Sequence, residues 1–543
     1  MPFHVLGFNC THDAAAVLLR DGVPVIAVEE ERLSRVKHHF GMPEKAVAAC
    51  LEAGGIGIDG VDRVAFYMDA GLWLRFFGGH FLRNLPASLS FTKRKPELWK
   101  SFLGVERRFR RTFGYRGPFD MVEHHGAHAA SAFFPSGFDE AAVLTVDGAG
   151  EKVTTLLGAM RGGRLERIRQ ETYPKSVGKC WEAVTDWLGF RPQSGEGKAM
   201  GLAAYGRPAL VDRFGAVLRP ASDGSFHLDL SYFDYPVGRN PLYGPRFVRE
   251  FGPARSADGP IEPHHEDVAF ALQSATEEVV LGMARWLRGR TGLRRLVMAG
   301  GCALNAPANH RVAREAGFDE VFIQPAAGDN GACLGAALAV HHRHHPGAPR
   351  WTMADAFLGP AIDEAAAADA LRAAGLAAER PADLEAAAAA LLAEGKVLGW
   401  ARGRMEFGPR ALGHRSVLAD PRTRAMHDRV NLRVKRREPF RPLAPVVRLE
   451  DLPRFVERPL PSPFMLLTFP VRADARSIVP AVVHADGSAR FQTVTAAQEP
   501  SLHRLLGLFG DRTGVPCLMN TSFNRRGEPV VATARDAVEA FAD

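Results

Sequence analysis

The stretch FHVLGFNCTHDAAAVLLRDGVPVIAVEEER, residues 3–32, decides the fold class. FHVLGF is apolar and reads as a strand. DAAAVLLR reads as a second strand that ends at the Asp21-Gly22 turn, and VPVIAVEE as a third. Asp-Gly between two apolar runs signals an antiparallel hairpin, because a tight turn needs residues that tolerate a left-handed backbone. The pattern returns later. AAVLTVDGAGE (141–151) ends a strand at Asp147-Gly148, and VTTLLGAMRGGRLERIRQE (153–171) makes a hairpin about Gly162-Gly163. The first part of the chain therefore holds two similar units, each a strand ending in small and polar residues and followed by a hairpin. RRLVMAGG (294–301) and DEVFIQP (319–325) each lead into a small-residue loop and a helix. Such units, with hairpins mixed in, predict a mixed α/β sheet.

The chain has 543 residues, too many for one core, so two or three domains are expected. A composition of 46% hydrophobic and 24% charged residues is that of a globular protein and excludes a disordered chain. The formal net charge of +7 suits an anionic ligand, although an Ala- and Arg-rich bias raises the charge without any functional demand. Cys10, Cys50, Cys180, Cys302, Cys333 and Cys517 are scattered without a CxxC pair and read as free thiols in a reducing compartment. The N-terminus lacks the basic region and cleavage site of a signal peptide, and no run of about 18 apolar residues is present. A soluble cytoplasmic protein with no membrane partner is expected. The shift in HRHHPGAPRWTMAD places a linker at 346–356, between domains at 1–345 and 357–543. The Ala-rich tract 365–395 reads as helix broken at Pro381, and propensity with base bias accounts for it.

EHHGAHAASAFFPSGF (123–138) places His124 and His128 four apart, on one helix face. That spacing permits chelation and equally fits ordinary helix histidines. Asp147 ends a strand, and Asp329 sits in a Gly-rich loop after another. Ligands gather beyond the carboxyl ends of strands in α/β sheets, so these four residues are expected to converge. Two imidazoles with two carboxylates suit Fe, Mn or Zn; the plainer reading of each Asp is a turn cap. GGCALNAPAN (300–309) and GDNGACLGAAL (328–338) offer Gly300, Gly301, Asn305 and Gly328 at strand-to-helix turns, where backbone N–H groups approach phosphate. SGEGKAMGLAAYG (194–206) sets Lys198 and Gly201 in a glycine-rich stretch read as a loop. None of these matches a P-loop or a Rossmann fingerprint. GRMEFGPRALGHRSVLADPR (403–422) and NLRVKRREPFRPLAP (431–445) crowd Arg410, Arg415, Lys435 and Arg441, near Arg402, among apolar and Pro residues. Guanidinium forks bind phosphate bidentately, so a pocket for a small phosphorylated substrate is expected. A nucleic-acid surface or plain solubility are the blander readings. NTSFN (520–524) adds Asn520 and Ser522 as amide and hydroxyl donors.

Taken in order, HDAAAVLLRDG, EEERLSRVKH, HHGAHAASAF, VDGAGE, EGKAMGLAAYG, GGCALN, GDNGACLGAA, EFGPRALGHRS, KRREPFRPLAP and NTSFN closely resemble the O-carbamoyltransferases of tobramycin, cephamycin and nodulation-factor biosynthesis. The resemblance covers nearly the whole chain. It implies an α/β protein whose first domain has the duplicated actin/sugar-kinase-like fold, in its metal-binding, threonylcarbamoyl-transfer form. The second domain is implied to be YrdC-like. The implied reaction joins carbamoyl phosphate to ATP as carbamoyl-adenylate and then transfers the carbamoyl group to a hydroxyl of a small-molecule acceptor, releasing AMP. His124, His128, Asp147 and Asp329 would hold a divalent metal. Iron(II) is what the resemblance implies, with Mn, Zn and Mg also compatible. Lys198, Gly201, Gly300, Gly301, Asn305 and Gly328 would hold the nucleotide. Arg410, Arg415, Lys435 and Arg441, with Asn520 and Ser522, would hold carbamoyl phosphate and ATP. His12 is the candidate base for the acceptor hydroxyl, and Lys37 in SRVKH also lines the site. Segment 66–118, rich in aromatics and cations, is expected to shape the acceptor pocket. Two departures from the family pattern stand out. His414 replaces the usual Asn, and the chain stops at DAVEAFAD, short of a further strand. A tRNA-modifying threonylcarbamoyl-adenylate enzyme is the alternative, and an idle nucleotide-binding regulator a third reading. A nucleic-acid partner is not expected; the oligomeric state, a homodimer among the options, is left open.

Overall fold

Strands β1 (His4–Asn9), β2 (Ala15–Arg20) and β3 (Val23–Glu29) form an antiparallel meander, with Asp21 and Gly22 at φ +51° and +81° in the first hairpin. β4 (Arg63–Phe66) joins β1 in parallel, and β5 (Phe119–Met121) joins β4 in parallel. The sheet order is β3-β2-β1-β4-β5. The second half repeats this. β6 (Glu140–Val146), β7 (Val153–Arg161) and β8 (Arg164–Thr172) form the meander. A small hairpin of β9 (Leu218–Pro220) and β10 (Phe226–Leu228) intervenes. Then β11 (Arg295–Ala299) and β12 (Glu320–Ile323) add in parallel, giving the order β8-β7-β6-β11-β12. Order and directions match between the two sheets, which is the duplicated kinase-like arrangement that the motifs implied.

These sheets belong to a computed structural model that describes residues 1–88 and 102–542. The chain divides into two units, residues 1–30 with 38–353, and residues 31–37 with 354–543. β1 is buried along its whole length and β2 nearly so, as expected of central strands covered on both faces. One cover is the helix Asp329–His344, and the helix His124–Phe133 packs on that helix. A Cβ on Gly335 would fall 1.8 Å from the Ala127 carbonyl oxygen, so only glycine lets these two helices approach so closely. Duplication also places equivalent turns alike. The β1–β2 turn carries Thr11, His12 and Asp13, and the β6–β7 turn carries Asp147. The loops after β4 and β11 carry Tyr67 and Gly300, and those after β5 and β12 lead into His124 and Asp329.

The second unit holds a five-stranded sheet of order β13-β14-β19-β15-β18. Its strands are β13 (Leu398–Ala401), β14 (Arg415–Ala419), β15 (Ala444–Arg448), β18 (Gln492–Val494) and β19 (Cys517–Ser522). A short pair, β16 (Phe469–Pro470) with β17 (Ser488–Ala489), stands apart. The Ala-rich tract does form two helices, Glu364–Ala373 and Leu384–Ala393. Propensity alone accounts for the first, which buries nothing, but not for the second. Ala388, Ala389 and Leu392 join Trp400, Leu418, Leu505, Phe509 and Leu518 in the core, where a small side chain permits close helix–sheet packing.

Glu31–Lys37 leaves the first unit and is held in the second. Arg32 is buried and donates to Gly408 O at 2.8 Å; Arg35 donates to Val530 O at 2.7 Å and to Pro529 O at 3.0 Å. The first unit also runs on to Met353. A reading along the sequence does not reveal such a crossing, because the partners lie hundreds of positions away.

Candidate functional site

In the first unit, His124, His128, Asp147 and Asp329 converge, one ligand atom from each lying within 4.8 Å of all the others. His124 Nε2 is 3.1 Å from His128 Nε2, 3.2 Å from Asp147 Oδ2 and 3.7 Å from Asp329 Oδ1, and His128 Nε2 is also 3.7 Å from Asp329 Oδ1. Each residue arrives by its own element. Glu123 caps the helix that carries both histidines, accepting from Gly126 N at 2.7 Å. Asp147 Oδ1 is held by Gly301 N at 2.7 Å. Asp329 opens its helix, and its Oδ2 accepts from Tyr67 Oη at 3.3 Å and from Thr11 Oγ1 at 3.5 Å. Thr11 and Tyr67 in turn share a short hydrogen bond. Glu151, itself buried, accepts from His124 N at 3.0 Å and Asp69 N at 2.6 Å, fixing the start of the histidine helix.

These residues fit a cation. Both imidazoles are fully buried, and their Nδ1 atoms lack partners. Two Nε2 atoms facing one another and two carboxylates leave room for at most one proton between the rings. Burial opposes a charge on His124, but the Asp147 hydrogen bond and the Asp329 carboxylate outweigh it and raise the imidazole to about 9. The adjoining His125 is different. Its Nε2 is 3.0 Å from Val153 O and its Nδ1 2.7 Å from Thr145 Oγ1, and burial pushes it down to about 3. It is a satisfied core histidine. The nitrogen and oxygen donors of the quartet suit a transition metal rather than a thiolate site.

The glycine-rich stretches behave unequally. A Cβ on Gly300 (φ +90°) would meet Val146 O at 2.3 Å, so this glycine lets the β11 loop lie against β6 and deliver the Gly301 N–H to Asp147. Gly328 caps the Asp329 helix. The expectation of a loop at 194–206 is corrected. Glu196–Ala203 is a helix, Gly201 is buried within it, and Lys198 lies over the Phe190 ring at 5.5 Å. Asn305 caps the helix Ala306–Glu315 and pairs reciprocally with Gln273, at 2.9 and 3.0 Å, so its amide is engaged by protein. His12 sits in the β1–β2 turn, 3.0 Å from Asp13.

In the second unit, Arg410 and Arg441 gather with Arg437 and Arg490, which the sequence reading did not single out. Burial first, and repulsion from neighbouring guanidiniums second, lowers Arg410 to about 10, Arg437 to about 9 and Arg490 well below its usual value, while burial lowers Arg441 against the opposing pull of Glu438. Glu438, 3.7 Å from Arg441, is the carboxylate that meets this group. Arg410 Nε is buried without a partner. Such a set lacks anionic charge. His427 and His484 stand beside it, and burial pushes His484 down to about 4. A turn of π-helix, Arg429–Val434, leads into the segment that supplies Arg437 and Arg441.

Four expected phosphate ligands, Arg415, Lys435, Asn520 and Ser522, have other tasks. Arg415 is fully buried and donates to the carbonyls of Arg402 (2.6 Å), His414 (2.9 Å), Pro360 (3.2 Å) and Ala532 (3.2 Å), so it ties loops together and has no free fork for phosphate. Lys435 is buried and directs its ammonium to Ser522 O (2.7 Å), Asn524 O (2.9 Å) and Asn524 Oδ1 (2.6 Å). Asn520 donates to Gln492 Oε1 at 2.7 Å and Ala411 O at 3.2 Å, leaving its own Oδ1 as a buried acceptor without a partner. Ser522 Oγ donates to Asn524 Oδ1 at 2.7 Å. Lys37 belongs to this unit, 3.5 Å from Glu528 O. Glu406 organises the GPRALGHRS loop, its Oε1 accepting from Leu412 N, His414 N and Arg415 N at 2.7, 2.9 and 3.2 Å. The atypical His414 is stacked on Phe357 at 3.5 Å and reaches Glu499 at 2.5 Å, a strut within that loop.

The family model described as the carbamoyltransferase N-terminus matches residues 4–338, and that of the carbamoyltransferase C-terminus matches residues 389–543. The chain belongs to the carbamoyltransferase family and is an enzyme that transfers carbamoyl groups. It is 37% identical to nodulation protein NolNO of Sinorhizobium fredii, over 98% of this chain and 76% of that one. It is 40% identical to the 3'-hydroxymethylcephem-O-carbamoyltransferase of Streptomyces clavuligerus, over 45% of each chain. Full-length HypF, solved in a phosphate- and nucleotide-bound form, aligns over 64% of this chain and 47% of that one at 14% identity and a TM-score of 0.33, too slight a likeness to bear on activity. No helix among the described residues is long and apolar enough to cross a membrane.

Proposed function

We propose that the protein is an ATP-dependent O-carbamoyltransferase working in two half-reactions. The observation that carries this reading is the group of four half-buried guanidiniums, Arg410, Arg437, Arg441 and Arg490, short of counter-charge in one unit while the histidine–aspartate quartet occupies the other. The guanidinium group suits carbamoyl phosphate and the ATP triphosphate, which together supply the missing negative charge. Atom balance then has water cleave carbamoyl phosphate into carbamate and inorganic phosphate. The carbamate oxygen bonds to the α-phosphorus of ATP and pyrophosphate departs, giving carbamoyl-adenylate. This assigns the second unit the YrdC-like, adenylate-forming role.

The first unit carries the transfer. An acceptor hydroxyl oxygen attacks the carbamoyl carbon, AMP leaves with the electron pair of the broken bond, and His12 takes the hydroxyl proton. His124, His128, Asp147 and Asp329 would hold a divalent cation, iron(II) by the resemblance, which would supply fixed positive charge toward the departing AMP phosphate. The acceptor is a hydroxylated small molecule, in keeping with the relative named for a hydroxymethylcephem. A cavity of about 510 Å³ lined by Ala70, Leu74, Phe102, Val105, Arg107 and Met121 is our candidate for its seat. It lies within or beside the stretch 66–118 expected to shape that pocket; residues 89–101 of the stretch are outside the described ones. The test is exchange of labelled pyrophosphate into ATP. Exchange that requires carbamoyl phosphate is expected; exchange indifferent to it, or none, contradicts the adenylate.

A further inference from the structure

Asp13 occupies the β1–β2 turn in a left-handed conformation (φ +55°), and Asn9 Nδ2 pins that turn by donating to His12 O at 3.2 Å and Asp13 O at 3.1 Å. The two carboxylate oxygens of Asp13 serve different rings. Oδ2 is 3.0 Å from His12 Nδ1, and Oδ1 is 2.8 Å from His38 Nδ1. The rings stack with centroids 4.9 Å apart and planes inclined by 24°. Backbone bonds bring the second ring to the turn, with Ala14 N donating to His39 O at 3.1 Å.

An ionised carboxylate only accepts hydrogen bonds. Each Nδ1 must therefore carry the hydrogen, which leaves the Nε2 of a neutral His12 with its lone pair. That is the tautomer required of a base acting through Nε2. A proton gained there would place a positive charge directly against Asp13. The surroundings act in the same direction. Burial opposes a charge on His12, but the Asp13 hydrogen bond and the carboxylates of Asp13, Asp329 and Glu182 outweigh it.

We propose that Asp13, steadied by His38 as its second hydrogen-bond donor, is a positioning residue that fixes the tautomer and orientation of His12 for carbamoyl transfer. The inference rests on the two-step reaction proposed above. In the step concerned, the bond from the acceptor oxygen to the carbamoyl carbon forms and the bond from that carbon to the AMP oxygen breaks. The electron pair leaves with AMP and the proton ends on His12 Nε2. Asp13 takes no proton.

The test uses the full chain with iron(II), ATP and carbamoyl phosphate, and with water or molar ethanol as the hydroxyl probe. Pyrophosphate reports the first half-reaction and AMP the second. Asp13→Asn is the informative variant, because Asn also tolerates a left-handed backbone but must turn an amide N–H toward one of the rings. AMP release should fall roughly 10²-fold with pyrophosphate release and bound metal unchanged. In a His12→Gln background, the same substitution should change AMP release less than about twofold, since coupled residues are not additive. His38→Gln, which leaves the turn residue in place, should lower AMP release by about tenfold in the unmutated background only. Equal losses with and without His12 would overturn the proposal, as would full activity of Asp13→Asn. Loss of a metal equivalent in Asp13→Asn would also overturn it, making the trio a cation site instead. No pyrophosphate from the unmutated protein would overturn the two-step reaction itself, and this inference with it.

Discussion

At the residue scale, the proposed two-step reaction divides its chemistry between His124 and Arg490. Arg490 lies among three other guanidiniums that repel it, so Arg490→Met should leave metal binding intact. It should also lower carbamoyl phosphate-dependent pyrophosphate exchange by roughly 10²-fold or more, the scale of losing a charged group that stabilises a phosphoryl transition state. Retained exchange would remove Arg490 from the anion site. Arg415 makes the opposite case. Its donors go to four or more main-chain carbonyls, so Arg415→Met should destabilise the second unit by about 3 kcal/mol, read from its denaturant midpoint, by orphaning those acceptors. A change under about 1 kcal/mol would contradict the tie. These two residues also mark how far the sequence could be read. His124, His128, Asp147 and Asp329 were legible because helix spacing and strand ends place them without knowledge of packing. Arg490 was not, since a lone Arg in DGSARFQTV carries no pattern. Arg415 and Lys435 drew attention as cations, but where their hydrogen bonds go depends on loops up to 117 positions away.

At the element scale, the helix Pro263–Thr291 opens with a capping box in which Glu262 N donates to Nδ1 of His265. That bond requires a neutral ring. Burial first, and the neighbouring His264 charge second, depress His265 from 6.5 to about 4. The unfolded chain then binds the proton more readily, so this contribution is intact above about pH 6.5 and is lost as pH falls toward 4. Between pH 7 and pH 5 the expected loss is about 2 kcal/mol. His265→Gln keeps the box without a titrating ring and should remove that part of the acid sensitivity. Identical pH profiles for the two proteins would contradict it. The elements themselves were largely legible. Asp-Gly and Gly-Gly turns between apolar runs give the two meanders directly. The 194–206 stretch was not, because glycine frequency suggests a loop while the surrounding packing stabilises a helix.

At the scale of the whole molecule, the duplication explains how the first unit brings its candidate site residues together, since turns at equivalent sheet positions supply Asp13 and Asp147, and the loops beyond β12 and β5 supply Asp329 and His124. The crossing of Glu31–Lys37 into the second unit has a consequence for fragments. A piece starting at residue 354 lacks Arg35 and its bonds to Val530 O and Pro529 O. It should be less stable by at least about 1–2 kcal/mol than the same piece supplied with a peptide of residues 31–37. Equal midpoints with and without the peptide would contradict this. The sequence concealed the crossing because nothing local in EERLSRVK distinguishes a helix end that stays from one that leaves.

The two-site account is tested most directly by one comparison. The unmutated protein and His124→Ala are each given ATP, carbamoyl phosphate and iron(II), and pyrophosphate and AMP are followed together. The account predicts pyrophosphate from both proteins, dependent on carbamoyl phosphate, with AMP release and bound metal lost only in His124→Ala. Loss of both products in His124→Ala, with the protein still folded, would mean that one site serves both steps and would contradict it.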